Sequence, residues 1–142
     1  MLRDSLESLF HQTYSDVEVI LIDNGSTDGC VERAIAGYEN RLRVIRNADN
    51  TGFARANNQG MAMARGEWFF LLNADAVAKP EAIAELMAFA ATHPTTGMLA
   101  CRVMRYDAPQ FFDSVGLILY PDGVCRSRGW EEKDVGQYDV AE

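Results

Sequence analysis

The chain has 142 residues, of which 48% are hydrophobic and 24% are charged, and its formal net charge is −8. This composition is that of one ordinary globular domain, which excludes wholesale disorder. The acidic balance excludes a nucleic-acid backbone as the main partner, because binding phosphates by charge requires clustered Lys and Arg.

The cysteine and hydropathy patterns indicate the cellular compartment of the protein. Cys30, Cys101 and Cys125 are odd in number and widely spaced, which fits neither a disulfide framework nor a zinc site. The sequence contains no stretch of about 18 consecutive apolar residues, so no membrane span is predicted. We therefore expect a cytoplasmic protein, and a contact of the parent protein with the inner face of a membrane is left open.

Helical and strand patterns alternate through the first 64 residues. Residues 2–13 have apolar positions at helical spacing, and residues 17–22 (VEVILI) are apolar on both faces, as in a strand inside a parallel sheet. A helix is predicted around residues 31–38, a short strand at 42–45 and a third helix at 54–64.

The alternation continues toward the tail. Residues 67–73 (EWFFLLN) predict a strand whose aromatic side chains lie in the core, and a helix follows through residue 92 with Pro80 in its first turn. Residues 97–104 predict a further strand. This order favours an α/β fold with a mostly parallel sheet flanked by helices. From residue 111 to 130, a Pro-Asp-Gly turn between two extended arms indicates a hairpin or long loop.

Two acidic residues follow predicted strands at what would be the same edge of the sheet. Asp23 comes after VEVILI, and Asp75 comes shortly after EWFFLLN. Each alone is better explained as a helix cap or turn former. Together they favour a shared role, because ligands of open parallel sheets bind beyond the carboxyl ends of the strands. Carboxylates there suit a ribose, a diphosphate and Mg²⁺ or Mn²⁺.

A third polar motif is NADNTGFARANNQG, residues 47–60. Asn50 and Gly52 predict a tight turn at its centre. Arg55, Asn57 and Asn58 are either capping and surface residues or groups that support nucleotide-binding loops and contact the ligand. Arg55 and Asn58 are therefore candidate nucleotide-binding residues.

Four motifs in this order resemble glycosyltransferase family 2: QTY from Gln12, then EVILIDNGSTDG, NTGFARANNQGMAMARGEWFFLLNADA and, more weakly, DSVGLILYPDGVCRSRG. The resemblance runs from residue 2 to about 100 and is strongest to the rhamnosyltransferase-like branch of polysaccharide biosynthesis. It implies a GT-A fold and an inverting transfer of a sugar from a nucleotide-diphosphate sugar to a saccharide or lipid-linked acceptor.

The resemblance also implies roles for individual residues. Asp23 would contact the uridine or thymidine of the donor, with Asn24 and Ser26 shaping the turn. Asn73 and Asp75 occupy the two ends of the family's Asp-x-Asp motif, so Asp75 would bind the divalent metal and the donor diphosphate. Asparagine at position 73 in place of aspartate is expected to weaken the metal site or leave it mainly to Asp75.

The resemblance further implies a central strand ahead of residue 2 and an acidic segment with the catalytic base near or after residue 140. Neither lies in this sequence, so we expect a partial domain with weak or no activity. Residues 1–106 would be its nucleotide-sugar-binding part and residues 107–142 the start of its acceptor side. The catalytic base is unassigned, since the spacing of Asp107, Asp113 and Asp122 selects none of them.

Loss of a central strand would leave two sheet edges unpaired, which is costly in an apolar setting. We expect the gap to be filled by the tail or by strand exchange with a second copy in a homo-oligomer. The alternative function, from another class, is a non-catalytic nucleotide-binding or protein-interaction module.

Overall fold

A computed structural model of the chain describes residues 1–139. The chain forms two compact units, the first comprising residues 1–88 and the second beginning at Phe89. This division concerns packing, and the predicted functional boundary between residues 106 and 107 stays a prediction.

The first unit alternates helices and strands in chain order. Its elements are α1 (Leu2–Phe10), β1 (Val19–Asn24), α2 (Cys30–Ile35), β2 (Leu42–Asn47), α3 (Phe53–Met63) and the start of α4 (Ala82–Thr92). β1 and β2 pair in parallel, in register from Val19 opposite Leu42 to Asn24 opposite Asn47. The strand predicted at 17–22 is thus shifted toward its carboxyl end, and Asp23 lies inside it.

Buried apolar residues join α1 to α2, and a glycine allows α3 to pack against β1. Leu6 of α1 is buried, as are Val31 and Ala34 of α2, which α1 contacts. α3 packs on β1 at Gly60, where an added Cβ would lie 2.8 Å from Ile22 Cδ1. A larger residue at position 60 would therefore push α3 away from the strand.

Side chains of α1 hold the segment that leads into α4. Ser5 Oγ donates to the Asn73 carbonyl at 3.3 Å. The Gln12 amide donates to the Lys79 carbonyl at 2.8 Å and accepts from the Ile83 N–H at 3.0 Å. These bonds satisfy backbone groups of residues 73–83 that no strand ladder or helix satisfies.

The second unit contains short antiparallel pairs. β3 (Val103–Met104) pairs with β4 (Phe112–Ser114), and β5 (Leu117–Leu119) pairs with β6 (Cys125–Ser127). Phe112 is fully buried, and its ring meets that of Tyr138 edge-on at 5.4 Å. The hairpin predicted around the Pro-Asp-Gly turn is confirmed, whereas the strand predicted at 97–104 is reduced to its last two residues.

The strand predicted at residues 67–73 is wrong. No residue of 66–72 forms a hydrogen bond within residues 1–139, and none is assigned to a strand. The prediction that Trp68 and Phe69 lie in the core is also wrong, since they are 37% and 49% exposed. An apolar pattern makes a strand only where a neighbour satisfies its N–H and C=O groups.

Within the described part of the chain, β1 has β2 as its one strand neighbour, and the strands of the second unit form separate sheets. The expectation that the tail fills the gap beside β1 is therefore wrong. Among residues 1–139, no helix is both long enough and apolar enough to cross a bilayer.

Candidate functional site

Asp23 lies at the carboxyl end of β1 and is the centre of the candidate site. Its side chain is 7% exposed. Oδ1 accepts a hydrogen bond from the Ser26 N–H at 2.9 Å, and Oδ2 accepts one from Arg46 Nη1 at 3.1 Å. Arg46 also contacts Glu32 Oε1 at 2.8 Å. The carboxylate is thus oriented by the turn that follows β1 and by the neighbouring strand.

Opposing effects set the pKa of Asp23. Burial, the largest single cause, raises the pKa because it disfavours the charged form. The hydrogen bonds from Ser26 and the charge and hydrogen bond of Arg46 lower it, and together they prevail, so the pKa lies below its ordinary value. Asp23 is therefore an ionised acceptor at neutral pH, with about half of its roughly four lone-pair positions still unused.

The loop after β1 is in direct contact with the loop after β2. The Asn24 Oδ1 accepts from the Thr51 N–H at 3.0 Å and from Thr51 Oγ1 at 2.9 Å, and its Nδ2 donates to Asn50 Oδ1 at 2.9 Å. Gly25 has φ +89°, and an added Cβ there would lie 2.9 Å from the Asp49 carbonyl carbon. The two loops therefore form one surface at the ends of β1 and β2.

The other candidate residues lie in the turn after β1 and on α3. The Ser26 side chain is exposed, and its N–H caps Asp23. Arg55 and Asn58 of α3 are exposed, and their side chains form no hydrogen bond or ion pair within residues 1–139. They are therefore open to a ligand. Asn57, in contrast, donates to its own helix at the Phe53 carbonyl, 3.0 Å away.

Asn73 and Asp75 lie on the segment held by α1. The Asn73 carbonyl accepts from Ser5 Oγ at 3.3 Å and from the Ala76 N–H at 3.1 Å. Both side chains are exposed, and the Asp75 carboxylate has no hydrogen-bond or ion-pair partner in the part of the chain described. Asp23, Asn24 and Ser26 lie together at the turn after β1. Asp75 lies on a different segment, and its charge is unpaired within residues 1–139.

The residues fit a divalent cation only if the ligand supplies most of its coordination. Residues 1–139 contain no cluster of three or more His, Cys, Asp or Glu side chains that could hold a metal. Asp75 offers one free carboxylate, and Asn73 offers an amide oxygen. Mg²⁺ commonly binds through one or two carboxylates plus substrate phosphates and water, and this donor set suits that arrangement.

Two of the three aspartates considered as the catalytic base, Asp107 and Asp122, are engaged in local contacts. Arg105 binds Asp107 through two bonds of 3.1 and 2.9 Å, and this pairing lowers the pKa of Asp107. A lowered pKa makes a carboxylate a poorer proton acceptor. Asp122 accepts from the Val124 N–H at 3.0 Å in the hairpin turn. These contacts explain Asp107 and Asp122 as turn residues.

A shallow depression of about 260 Å³ lies at the opposite ends of the strands, by Val19 and Leu42. Glu18 occupies it, and its carboxylate pairs with Arg43 at 2.6 Å and with Arg65 at 3.4 Å. Arg41 also lines the depression, so three guanidinium groups face a single carboxylate and the lining carries a net positive charge.

Sequence reasoning missed Arg46, Asn47 and Gln59. Arg46 pairs with Asp23, and Asn47 connects Asn24 to Gln59. The signal for the first two was the strand register: a parallel pairing of 19–24 with 42–47 places Arg46 beside Asp23 and Asn47 beside Asn24.

Comparison with known proteins gives matches to glycosyltransferases. The family described as Glycosyl transferase family 2 matches residues 1–135. Glycosyltransferase GlyG of Streptococcus pneumoniae is 36% identical over 87 residues, which are 60% of this chain and 29% of that protein. The O-antigen biosynthesis protein RfbC of Myxococcus xanthus is 34% identical over 101 residues, 69% of this chain and 8% of that protein.

A third relative is an uncharacterized glycosyltransferase, YibD of Escherichia coli K12. It is 37% identical over 90 residues, which cover 62% of this chain and 26% of the relative. The chain thus spans less than a third of the length of each of these three relatives.

Proposed function

The chain belongs to glycosyl transferase family 2, and from this membership and the geometry around Asp23 we propose that it binds a nucleotide-diphosphate sugar for inverting transfer to a saccharide or lipid-linked acceptor. The observation that carries the proposal is the buried, ionised Asp23 carboxylate, held by Ser26 and Arg46 at the end of a parallel strand. Residues 1–106 would form the nucleotide-sugar-binding part, and residues 107–142 would begin the acceptor side.

Asp23 would accept a hydrogen bond from the base of the donor nucleotide. Two of its acceptor positions are used by Ser26 and Arg46, and about two remain for a ligand. Because the carboxylate is already oriented, binding requires little further ordering of this side chain. Asn24 and Ser26 would maintain the turn, while Arg55 and Asn58 would contact the ligand from α3.

Asp75 and Asn73 would hold Mg²⁺ or Mn²⁺ together with the donor diphosphate. When bound, the cation would stabilise the negative charge of the departing nucleoside diphosphate. Asp75 suits this role because it is exposed and its charge is unpaired within the residues described. No residue of this chain is assigned as the general base.

One relative bears on the class of acceptor. RfbC takes part in O-antigen biosynthesis according to its name, which supports a polysaccharide acceptor for the present chain. The resemblance of the sequence to the rhamnosyltransferase-like branch is the basis for proposing a dTDP-rhamnose donor, and the widely spaced cysteines are the basis for proposing a cytoplasmic location, at or near the inner face of a membrane.

Calorimetric titration of the chain with UDP, dTDP and GDP, each with and without Mn²⁺, tests the proposal. We expect one nucleotide to bind preferentially and Mn²⁺ to strengthen its binding. Absence of binding for all three nucleotides in both conditions would contradict a donor site and leave the protein-interaction module as the better explanation.

We also propose that the chain associates with a second copy by strand exchange. The supporting observation is the free edge of β1 together with residues 66–72, whose backbone makes no hydrogen bond within residues 1–139. Phe69 and Leu71 in this segment are 49% and 56% exposed. A strand from another molecule would satisfy such backbone groups and cover these side chains.

A further inference from the structure

A chain of side-chain amides connects α3 to the loops at the candidate site. Gln59 and Asn47 form a reciprocal pair: Asn47 Nδ2 donates to Gln59 Oε1 at 2.9 Å, and Gln59 Nε2 donates to Asn47 Oδ1 at 3.0 Å. The second N–H of Asn47 donates to Asn24 Oδ1 at 3.0 Å. The pair thus fixes which way both amides point.

The orientation of Asn24 follows from this pair. Its oxygen faces Asn47 and Thr51, and so its Nδ2 faces Asn50 Oδ1 at 2.9 Å. Asn50 Oδ1 also accepts from the Gly52 N–H at 2.9 Å. One amide therefore sets the conformation of residues 50–52, the loop from which α3 begins.

Gln59 itself is held in place by the packing of α3. It precedes Gly60, whose missing side chain allows α3 to lie against Ile22 of β1. Gln59 is partly buried, and it lies two turns along α3 from Gly52, which precedes the helix. Its polar atoms are directed at Asn47 and not at the Asp23 carboxylate, so it acts through other residues.

We propose that Gln59 is a positioning residue of the donor site, which orders the loops after β1 and β2 through Asn47 and Asn24 before the nucleotide binds. The inference rests on the proposed nucleotide-sugar function. Without the pair, Asn47 loses two of its three side-chain hydrogen bonds and is held only by its bond to Asn24, so part of the ordering of the loops must occur at the expense of binding free energy.

The test compares two substitutions in α3. Gln59→Met keeps the side-chain length and helix propensity but removes both hydrogen bonds to Asn47. Ala62→Gly is the control, because it weakens the same helix at an exposed position outside the network. For the tightest binder among UDP, dTDP and GDP, we expect Gln59→Met to weaken binding about tenfold, the scale of one or two lost hydrogen bonds. Ala62→Gly should leave the affinity unchanged.

Hydrogen exchange supplies a readout that needs no nucleotide. The N–H groups of Thr51 and Gly52 donate to Asn24 and Asn50, so Gln59→Met should accelerate their exchange about tenfold more than Ala62→Gly does. An affinity within twofold of the unmodified chain, or equal acceleration in both variants, would overturn the inference. If Gln59→Met does not fold, Thr51→Val removes one donor to Asn24 and should produce a smaller loss of the same kind.

The experiments distinguish failure of the donor-site function from failure of the positioning role of Gln59. If the unmodified chain binds none of the three nucleotides, the donor-site function is refuted, whereas exchange at Thr51 and Gly52 still reports whether Gln59 orders the loops. If nucleotide binds and Gln59→Met has no effect on affinity or exchange, the function stands and the role of Gln59 is refuted.

Discussion

Arg46 lies directly opposite Asp23 in the parallel pairing of β2 with β1, and its Nη1 donates to Asp23 Oδ2 at 3.1 Å. The same guanidinium contacts Glu32 of α2 at 2.8 Å. One cation thereby links the end of β1 to its neighbouring strand and to the helix that follows. The acceptor at the candidate site is ionised and oriented by the strand register.

Removing this cation should destabilise the fold in a pH-dependent way. The lowered pKa of Asp23 means that its contribution is complete above the pKa of the unfolded chain, about 3.9, and is lost as the pH falls through the lower folded pKa. Arg46→Met should reduce the free energy of unfolding by about 1–2 kcal/mol near neutral pH, because Asp23 is buried whereas Arg46 is half exposed to screening solvent. The difference should shrink below about pH 4.

Urea unfolding across this pH range checks the prediction. Arg126→Met provides the matched control, because it removes the same charge from the exposed hairpin, where Arg126 lies over the Tyr120 ring. A loss of stability that is equal for both variants, or that is unchanged between neutral and acidic pH, would argue against the Arg46–Asp23 pair as its source.

A second prediction concerns the contact between the two loops. Gly25→Ala requires a residue with φ +89° and a Cβ 2.9 Å from the Asp49 carbonyl carbon, so backbone must move. We expect a loss of about 2–3 kcal/mol in the free energy of unfolding. Gly37→Ala isolates the backbone cost of a positive φ, because Gly37 has φ +85° with open space around it, and it should lose only about 1 kcal/mol. Equal losses would show that the loops do not touch in solution.

A third prediction separates ligand binding from stability at Asp75. Because this carboxylate is exposed and has no partner within residues 1–139, Asp75→Ala should change the free energy of unfolding by less than about 0.5 kcal/mol. Nucleotide binding in the presence of Mn²⁺ should weaken by roughly tenfold or more, the scale of one lost charged contact. Without Mn²⁺, both proteins should bind equally.

Calorimetry with and without the metal provides this measurement, and Asp16→Ala serves as the control. Asp16 is exposed and makes no hydrogen bond or ion pair among residues 1–139, so it removes the same charge without offering a metal ligand. A parallel loss of Mn²⁺ dependence in both variants would indicate a general charge effect and not coordination by Asp75.

The sequence predicts best those elements that have a clear apolar period and a packing partner in the same unit. β1, β2 and α3 carry their own apolar periods, and each finds its packing surface in the same unit. Family resemblance rests on the same segments, and membership is shown by the match over residues 1–135. The hairpin from residue 117 to 127 was predictable because its turn residues act locally.

What the sequence did not predict depends on non-local pairing. The apolar run 67–73 has the composition of a strand, yet strand structure requires a neighbour that residues 1–139 do not provide. The partners of Asp23 and Asn24 were missed for a related reason, since Arg46 and Asn47 become neighbours only through the register of β1 with β2. Identifying a polar residue at a strand end does not identify its partner on the next strand.

The last prediction follows from this unpaired segment. If a second copy supplies the missing neighbour, the chain should form dimers whose fraction rises with protein concentration, and Trp68, 37% exposed in the single chain, should become buried. A charge on the segment should prevent this, because a lysine on an exposed strand edge opposes pairing. Leu71→Lys should therefore be monomeric where the unmodified chain is dimeric, as measured by light scattering and tryptophan fluorescence.

Leu117→Lys is the matched control, because Leu117 is 72% exposed on the hairpin strand β5, which already has β6 as its neighbour. The same change of side chain there alters solubility and charge equally but leaves residues 66–72 intact, so dimers should persist. Dimers that survive Leu71→Lys but not Leu117→Lys would place the contact on the hairpin. A chain that stays monomeric at every concentration, with Trp68 still in contact with water, would rule out strand exchange because the open backbone groups would then be satisfied by solvent alone.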